Sequence, residues 1–168
     1  MRAMFHTIQH FKRQLGHLVN WLDAAAAYAE AKKFDPAVFL AFRFAPDQLP
    51  FAFQVRTACD TAKLGSARLI GKDAPKHEDN EKSLPELRAR VNSVIEYLGG
   101  LTAKDFESSE TRTISTPRWE AKTMTGLDYF TEHVVPNFHF HVVHAYAMLR
   151  HQGVPLGKKD YLGPLSLK

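Results

Sequence analysis

Four histidines, His133, His139, His141 and His144, fall within twelve residues of one another in a 168-residue chain that carries nine. Neutral imidazole is a common ligand for transition metals, and it suits proton transfer near neutral pH. On a helix, Phe130, Val134, Asn137, His141, Ala145 and Met148 recur at spacings of three and four and share one side. His144 adjoins that side, His139 points elsewhere and His133 lies off the line. Asn137, His141 and His144 therefore converge on the interior of whatever the helix packs against. His141 is the candidate general base, and His141 with His144 the candidate metal pair. The same spacing equally fits a core histidine bonded to a neighbouring helix, with His144 half exposed beside it.

A metal site needs a third ligand from another element. The helix expected over 49–70 offers only Gln54, Cys59 and Asp60. Gln54 is the residue expected to orient a small molecule together with Asn137, His144 and Asp60. Asp60 follows Arg56 by four positions and precedes Lys63 by three, which is also the pattern of an ordinary ion network on a helix surface. Cys59 is the only cysteine and sits in an apolar helical pattern, so a small core residue is expected and no internal disulfide can form. His6, His10 and His17 lie roughly on one side of the first helix, where they could partner the later histidines or simply line an exposed polar face. His151, near a helix end, complements the negative end of the helix dipole. There is no GxSxG elbow, HExxH zinc motif or phosphate-binding glycine loop.

Long amphipathic helices must position these groups. Phe5, Ile8, Phe11, Leu15, Leu18 and Leu22 predict a first helix over 5–32. Asp35-Pro36 reads as a cap and first-turn proline for a short turn over 37–42. A second long helix is expected over 49–70, with Ala58, Ala62, Gly65 and Ser66 permitting close approach of a neighbour and Gly71 as its stop. The polar, proline-containing stretch 72–82 is a loop. Ser83 and Glu86 have capping-box spacing for a third helix that ends at Gly99-Gly100. Residues 101–124 form an irregular excursion with a helical turn near 102–106 and a small hairpin around Pro117. Thr125 caps a last long helix running to about 152, with a kink expected at Pro136.

This pattern is all-α, a four-helix bundle with a short hairpin excursion between the third and fourth long helices, expected as one domain over 1–168. Apolar residues make up 45% of the chain and no apolar run reaches the ~20 residues of a membrane helix. The N-terminal residues lack the apolar core of a secretory signal, so a cytoplasmic location is the expectation. The net charge of +4 is scattered; Lys32-Lys33 and Lys158-Lys159 are doublets and not a basic stripe, which argues against nucleic acid.

Two blocks of sequence resemble a known bacterial family. The first holds Asp35-Pro36-Ala37-Val38, Ala45-Pro46-Asp47, Gln54-Val55, Ala58-Cys59-Asp60 and Ala62-Lys63. The second holds Pro136-Asn137-Phe138, Phe140-His141, Ala145-Tyr146-Ala147, Leu149-Arg150-His151, Gly153-Val154, Leu156-Gly157-Lys158 and Asp160-Tyr161-Leu162-Gly163. Together they resemble the domain of unknown function 1993 family, a branch of the DinB/YfiT-like superfamily of four-helix bundles. The resemblance implies a bundle that forms homodimers. It also implies a divalent metal (zinc, nickel, manganese or iron) bound through three histidines, in proteins that include hydrolases and thiol S-transferases. Matched residue by residue, the superfamily's ligand positions fall on Gln54, Asn137 and His141, and only His141 keeps a strong ligand side chain. The expectation is a degenerate metal site that survives as a polar pocket for a small molecule. Metal-dependent enzymes using substitute ligands, and a non-catalytic, stress-associated dimer, are the alternatives.

Overall fold

The computed structural model describes residues 2–167. Helix α1 (Arg2–Lys32) is the longest element and buries the apolar stripe from Met4 to Ala29. The Asp35 carboxylate accepts from Ala37 N at 2.8 Å, and the chain then makes the short helix α2 (Val38–Ala41). Helix α3 (Phe51–Ile70) starts directly after Pro50, whose extended backbone cannot join it. Helix α4 (Leu84–Gly99) is capped as its sequence predicts: Glu86 N donates to Ser83 Oγ at 3.3 Å. The Glu86 carboxylate reaches back to Lys82 N at 2.6 Å, one residue before the cap.

The excursion contains a 3₁₀ turn over Ala103–Phe106 and a two-stranded hairpin. Strands β1 (Thr113–Ile114) and β2 (Met124–Thr125) pair antiparallel, Thr113 opposite Thr125 and Ile114 opposite Met124. Thr125 Oγ1 accepts from Asp128 N at 3.1 Å, which caps α5 (Gly126–Asp128). The chain continues without a break through a π-helical turn, Tyr129–Val134, into α6 (Val135–His151). A last short helix, α7 (Lys158–Leu162), folds back over α1.

The π turn replaces the kink expected at Pro136. A proline inside an α-helix lacks its own N–H and clashes with the carbonyl four residues earlier. Widening the preceding turn, so that Val135 N bonds to Phe130 O five residues back, moves those carbonyls aside and lets the helix continue.

The four long helices close a ring: α1 packs on α4, α4 on α3, α3 on α6 and α6 on α1. Large apolar side chains fill the middle, with Phe11 and Phe138 stacked at 4.0 Å between α1 and α6. The α3–α6 crossing is close because Gly65 has no side chain. A Cβ there would lie 2.8 Å from Val134 Cγ1, and Val134 is fully buried. Among the described residues no helix is long and apolar enough to cross a membrane.

Candidate functional site

The α3–α6 seam brings Gln54 and His141 into direct contact. Gln54 lies on the first turns of α3, where the Leu49 carbonyl, outside the helix, has no backbone partner of its own to serve. Gln54 Nε2–H donates to Leu49 O at 2.9 Å, and a carbonyl can only accept, so the amide is held one way round. Its Oε1 then faces His141 Nδ1 at 2.8 Å. The imidazole must donate from Nδ1, which leaves Nε2 as a bare lone pair. Nε2 has no partner among the described residues and is not one of the fully buried orphan atoms, so it keeps access to solvent. The residue as a whole is 8% exposed.

Around the ring the surroundings are apolar and aromatic. Phe53 meets the imidazole edge-on at 6.1 Å and Phe140 at 5.1 Å. Burial pushes the His141 pKa down to about 4, with the neighbouring His144 adding to the effect. His141 is therefore neutral at pH 7. A base that weak is a poor proton acceptor for catalysis but a dependable hydrogen-bond acceptor.

The other residues singled out in the sequence are distributed around this pair. Asn137, one turn before His141, is half-buried on α6 and donates from Nδ2 to Thr61 Oγ1 at 2.7 Å; Thr61 in turn donates to Thr57 O. His144 is half-buried, and its Nδ1 donates to the carbonyl of Phe140 on its own helix at 2.7 Å while its ring lies tilted against that of Phe140. Asp60 faces α4, on a different side of α3 from the one that carries Gln54 to α6. It accepts from Arg90 at 2.7 Å and from Lys63 at 3.0 Å. Among the described residues no three histidine, cysteine, aspartate or glutamate side chains form a group that could hold a metal ion. The substitute set of His141 and His144 with a first-helix histidine or Asp60 is therefore not assembled.

The first-helix histidines divide between the two readings, His10 reaching a histidine of α6 and His17 lying buried away from them. His10 meets His139 with ring centroids 5.9 Å apart, and His17 is buried, donating from Nδ1 to Tyr161 O at 3.1 Å. Cys59 is fully buried, as its pattern predicts, and burial pushes its thiol up to about 12, so no thiolate nucleophile is available there.

Sequence spacing missed the largest polar assembly. Arg90 of α4, 4% exposed, holds Asp60, Asp79 and Glu81 at 2.7–2.8 Å, pinning the 72–83 loop across α3 and α4. Arg56 pairs with Glu81 at 2.7 Å and not with Asp60 as its spacing suggested. Burial disfavours the charge on Arg90, but its bonds to Glu81 and Asp60 outweigh that cost and keep it protonated. Beside it, Lys63 donates to His77 Nδ1, so His77 Nε2–H donates to Ser93 Oγ at 3.2 Å. That polarity is the reverse of what activates a serine: the ring gives Ser93 a proton to accept and offers it no base. The charged residues of the loop, unlike the rest of it, were the available signal.

The model of the family described as domain of unknown function (DUF1993) matches residues 5–162. The chain belongs to the DUF1993 family. It is also similar to a solved structure, the crystal structure of a DinB family member protein from Shewanella denitrificans. The two share 48% identity and superpose with a TM-score of 0.92, covering 96% of this chain and 92% of that one. No curated protein sequence matches the chain. This DUF1993 member is thus a DinB-like four-helix bundle, with the hairpin excursion placed between its third and fourth long helices.

Proposed function

We propose that this DUF1993 protein is a binding module that takes a small molecule at the α3–α6 seam, on the His141 Nε2 lone pair. The observation that carries this is the one-way chain Leu49 O···H–Nε2 Gln54 Oε1···H–Nδ1 His141, which fixes the tautomer of a neutral, solvent-reaching imidazole. A depressed pKa favours binding over general-base catalysis. The Asn137–Thr61 pair on the next turn supplies further polar groups, and Phe53 and Phe140 supply apolar walls. The site is a remnant of a metal centre in which Gln54 and Asn137 have replaced ligands, and Gln54 has taken over the task of orienting the remaining histidine.

The test is an NMR screen of the isotopically labelled protein with small hydrogen-bond donors, run beside titrations with zinc, nickel, manganese and iron(II). Saturable shifts at Gln54, Asn137 and His141, abolished in His141→Gln, are expected for one or more organic donors. Stoichiometric, tightly held metal that depends on His141 would overturn the reading in favour of a metal-dependent enzyme.

A second reading rests on a different observation. The outer face of α6 exposes Phe140 by 54% and Val143 by 44%, and Phe44 and Leu49 nearby are exposed by 43% and 47%. Apolar exposure on this scale suits a protein partner. A homodimer closed over this face would also roof the mouth of the His141 seam.

A further inference from the structure

We propose that the loop over residues 72–83 is a pH-sensitive strap, closed across α3 and α4 by a neutral His77 and released when that imidazole gains a proton. No backbone–backbone hydrogen bond ties residues 73–81 to the rest of the chain among the described residues. Side chains hold the strap instead, at two anchors. The far anchor is Arg90, which holds Asp79 and Glu81, with Arg56 also on Glu81. The near anchor is His77, which makes the only side-chain hydrogen bonds within residues 73–77 among the described residues.

The near anchor needs a neutral ring. Lys63 is 3% exposed and its ammonium lies 3.0 Å from the Asp60 carboxylate, so it is charged and can only donate. It donates to His77 Nδ1, and the one proton of the ring, on Nε2, goes to Ser93 Oγ at 3.2 Å. A second proton has to go on Nδ1, where it meets the Lys63 ammonium. The bond to Lys63 is then lost and repulsion between two cations takes its place. Charges on the neighbouring elements act in both directions. Lys63 of α3 and Arg90 of α4 repel a proton on His77, while Asp60 of α3 and Glu81 of the strap attract it. Both carboxylates are already held, Asp60 by Lys63 and Arg90, and Glu81 by Arg56 and Arg90. Burial and then Lys63 accordingly lower the His77 pKa while the strap is closed. A released ring titrates at its ordinary 6.5, so opening takes up a proton. The opening equilibrium therefore shifts by up to about tenfold for each pH unit below that value, down to the pKa of the closed form. Opening at His77 uncovers the Lys63 ammonium and leaves the Arg90 anchor in place.

A nitroxide on Lys76→Cys, an exposed position beside His77, reads the strap by electron paramagnetic resonance; Cys59 is buried and stays unlabelled. As the pH is lowered from neutrality, a mobile component should grow in step with the His77 titration followed by NMR in the same protein. His77→Gln keeps an acceptor for Lys63 and a donor for Ser93 but cannot be protonated, so its spectrum should stay that of the closed strap over the same range. His141→Gln should behave as wild type, which keeps this test independent of the α3–α6 reading. A wild-type spectrum that does not change as His77 titrates, or the same transition in His77→Gln, would overturn the proposal.

Discussion

Protonating His141 would place a charge in a seam whose other walls are Phe53 and Phe140, so the folded protein resists it. The unfolded chain titrates this group at 6.5 and the folded one at about 4. A depressed histidine contributes stability that is present in full above 6.5 and is lost as pH falls through 4, because the unfolded chain binds the proton first. The loss is up to about 3 kcal/mol over that interval. Burial lowers His10, His77, His133 and His139 as well, so wild type and His141→Gln must be compared. Urea melts between pH 4 and 7 should show a flatter pH dependence in the variant. Equal slopes would mean that His141 titrates as it does in water. His141 and Asn137 were visible in the sequence because a helix repeats every three to four residues, and Gln54 was joined to them through the family resemblance of its sequence block. The direction of the Gln54 amide was not, because the Leu49 carbonyl that sets it is a backbone atom whose availability depends on where α3 begins.

Helix periodicity and caps made α1, α3, α4 and the last long helix legible, and Ser83 and Thr125 cap as their types suggest. Two features were hidden because they arise only when elements meet. The π turn over 129–134 is a response to Pro136 that also seats Val134 on Gly65. Gly65→Ala would gain about 1 kcal/mol of helix propensity in isolation. Here the added methyl meets a fully buried valine, and a net loss of about 1–3 kcal/mol is expected from overpacking. In a Val134→Ala background the same change should become neutral or stabilising, which a chemical-denaturation double-mutant cycle would detect. The second hidden feature is Arg90, whose acidic partners Asp60, Asp79 and Glu81 sit up to thirty residues away. No local spacing can announce such a set. Arg90→Leu leaves Asp79 without its ion partner and leaves Glu81 and Asp60 with Arg56 and Lys63 alone, and should cost about 2–3 kcal/mol in the same assay. A loss below 1 kcal/mol would show that the 72–83 loop is held by something else.

At the scale of the molecule, the ring of four helices leaves α6 apolar on both sides: Phe138, Val142 and Ala145 face the core, while Phe140 and Val143 face out. A helix buried on one side only would carry polar residues there. The proposed homodimer accounts for the second face and predicts a solution mass about twice the 19.0 kDa of the chain by light scattering. Phe140→Asp should return it to a monomer without loss of helicity. A wild-type monomer would remove the dimer and leave the seam open to solvent on its own. The family could be read from the two sequence blocks because they contain the residues that line α3 and α6. What the seam binds could not, because a glutamine, an asparagine and a histidine side by side do not name one chemistry.

The proposed site depends on the state of one ring, that of His141. Long-range proton–nitrogen NMR of His141 in the free protein reads its tautomer and its titration together. The structure predicts a neutral ring with the proton on Nδ1 and an unprotonated Nε2, persisting until the pH approaches 4. A proton on Nε2, or a midpoint near 6.5, would mean that Gln54 does not orient the imidazole and that no acceptor is held ready at the α3–α6 seam.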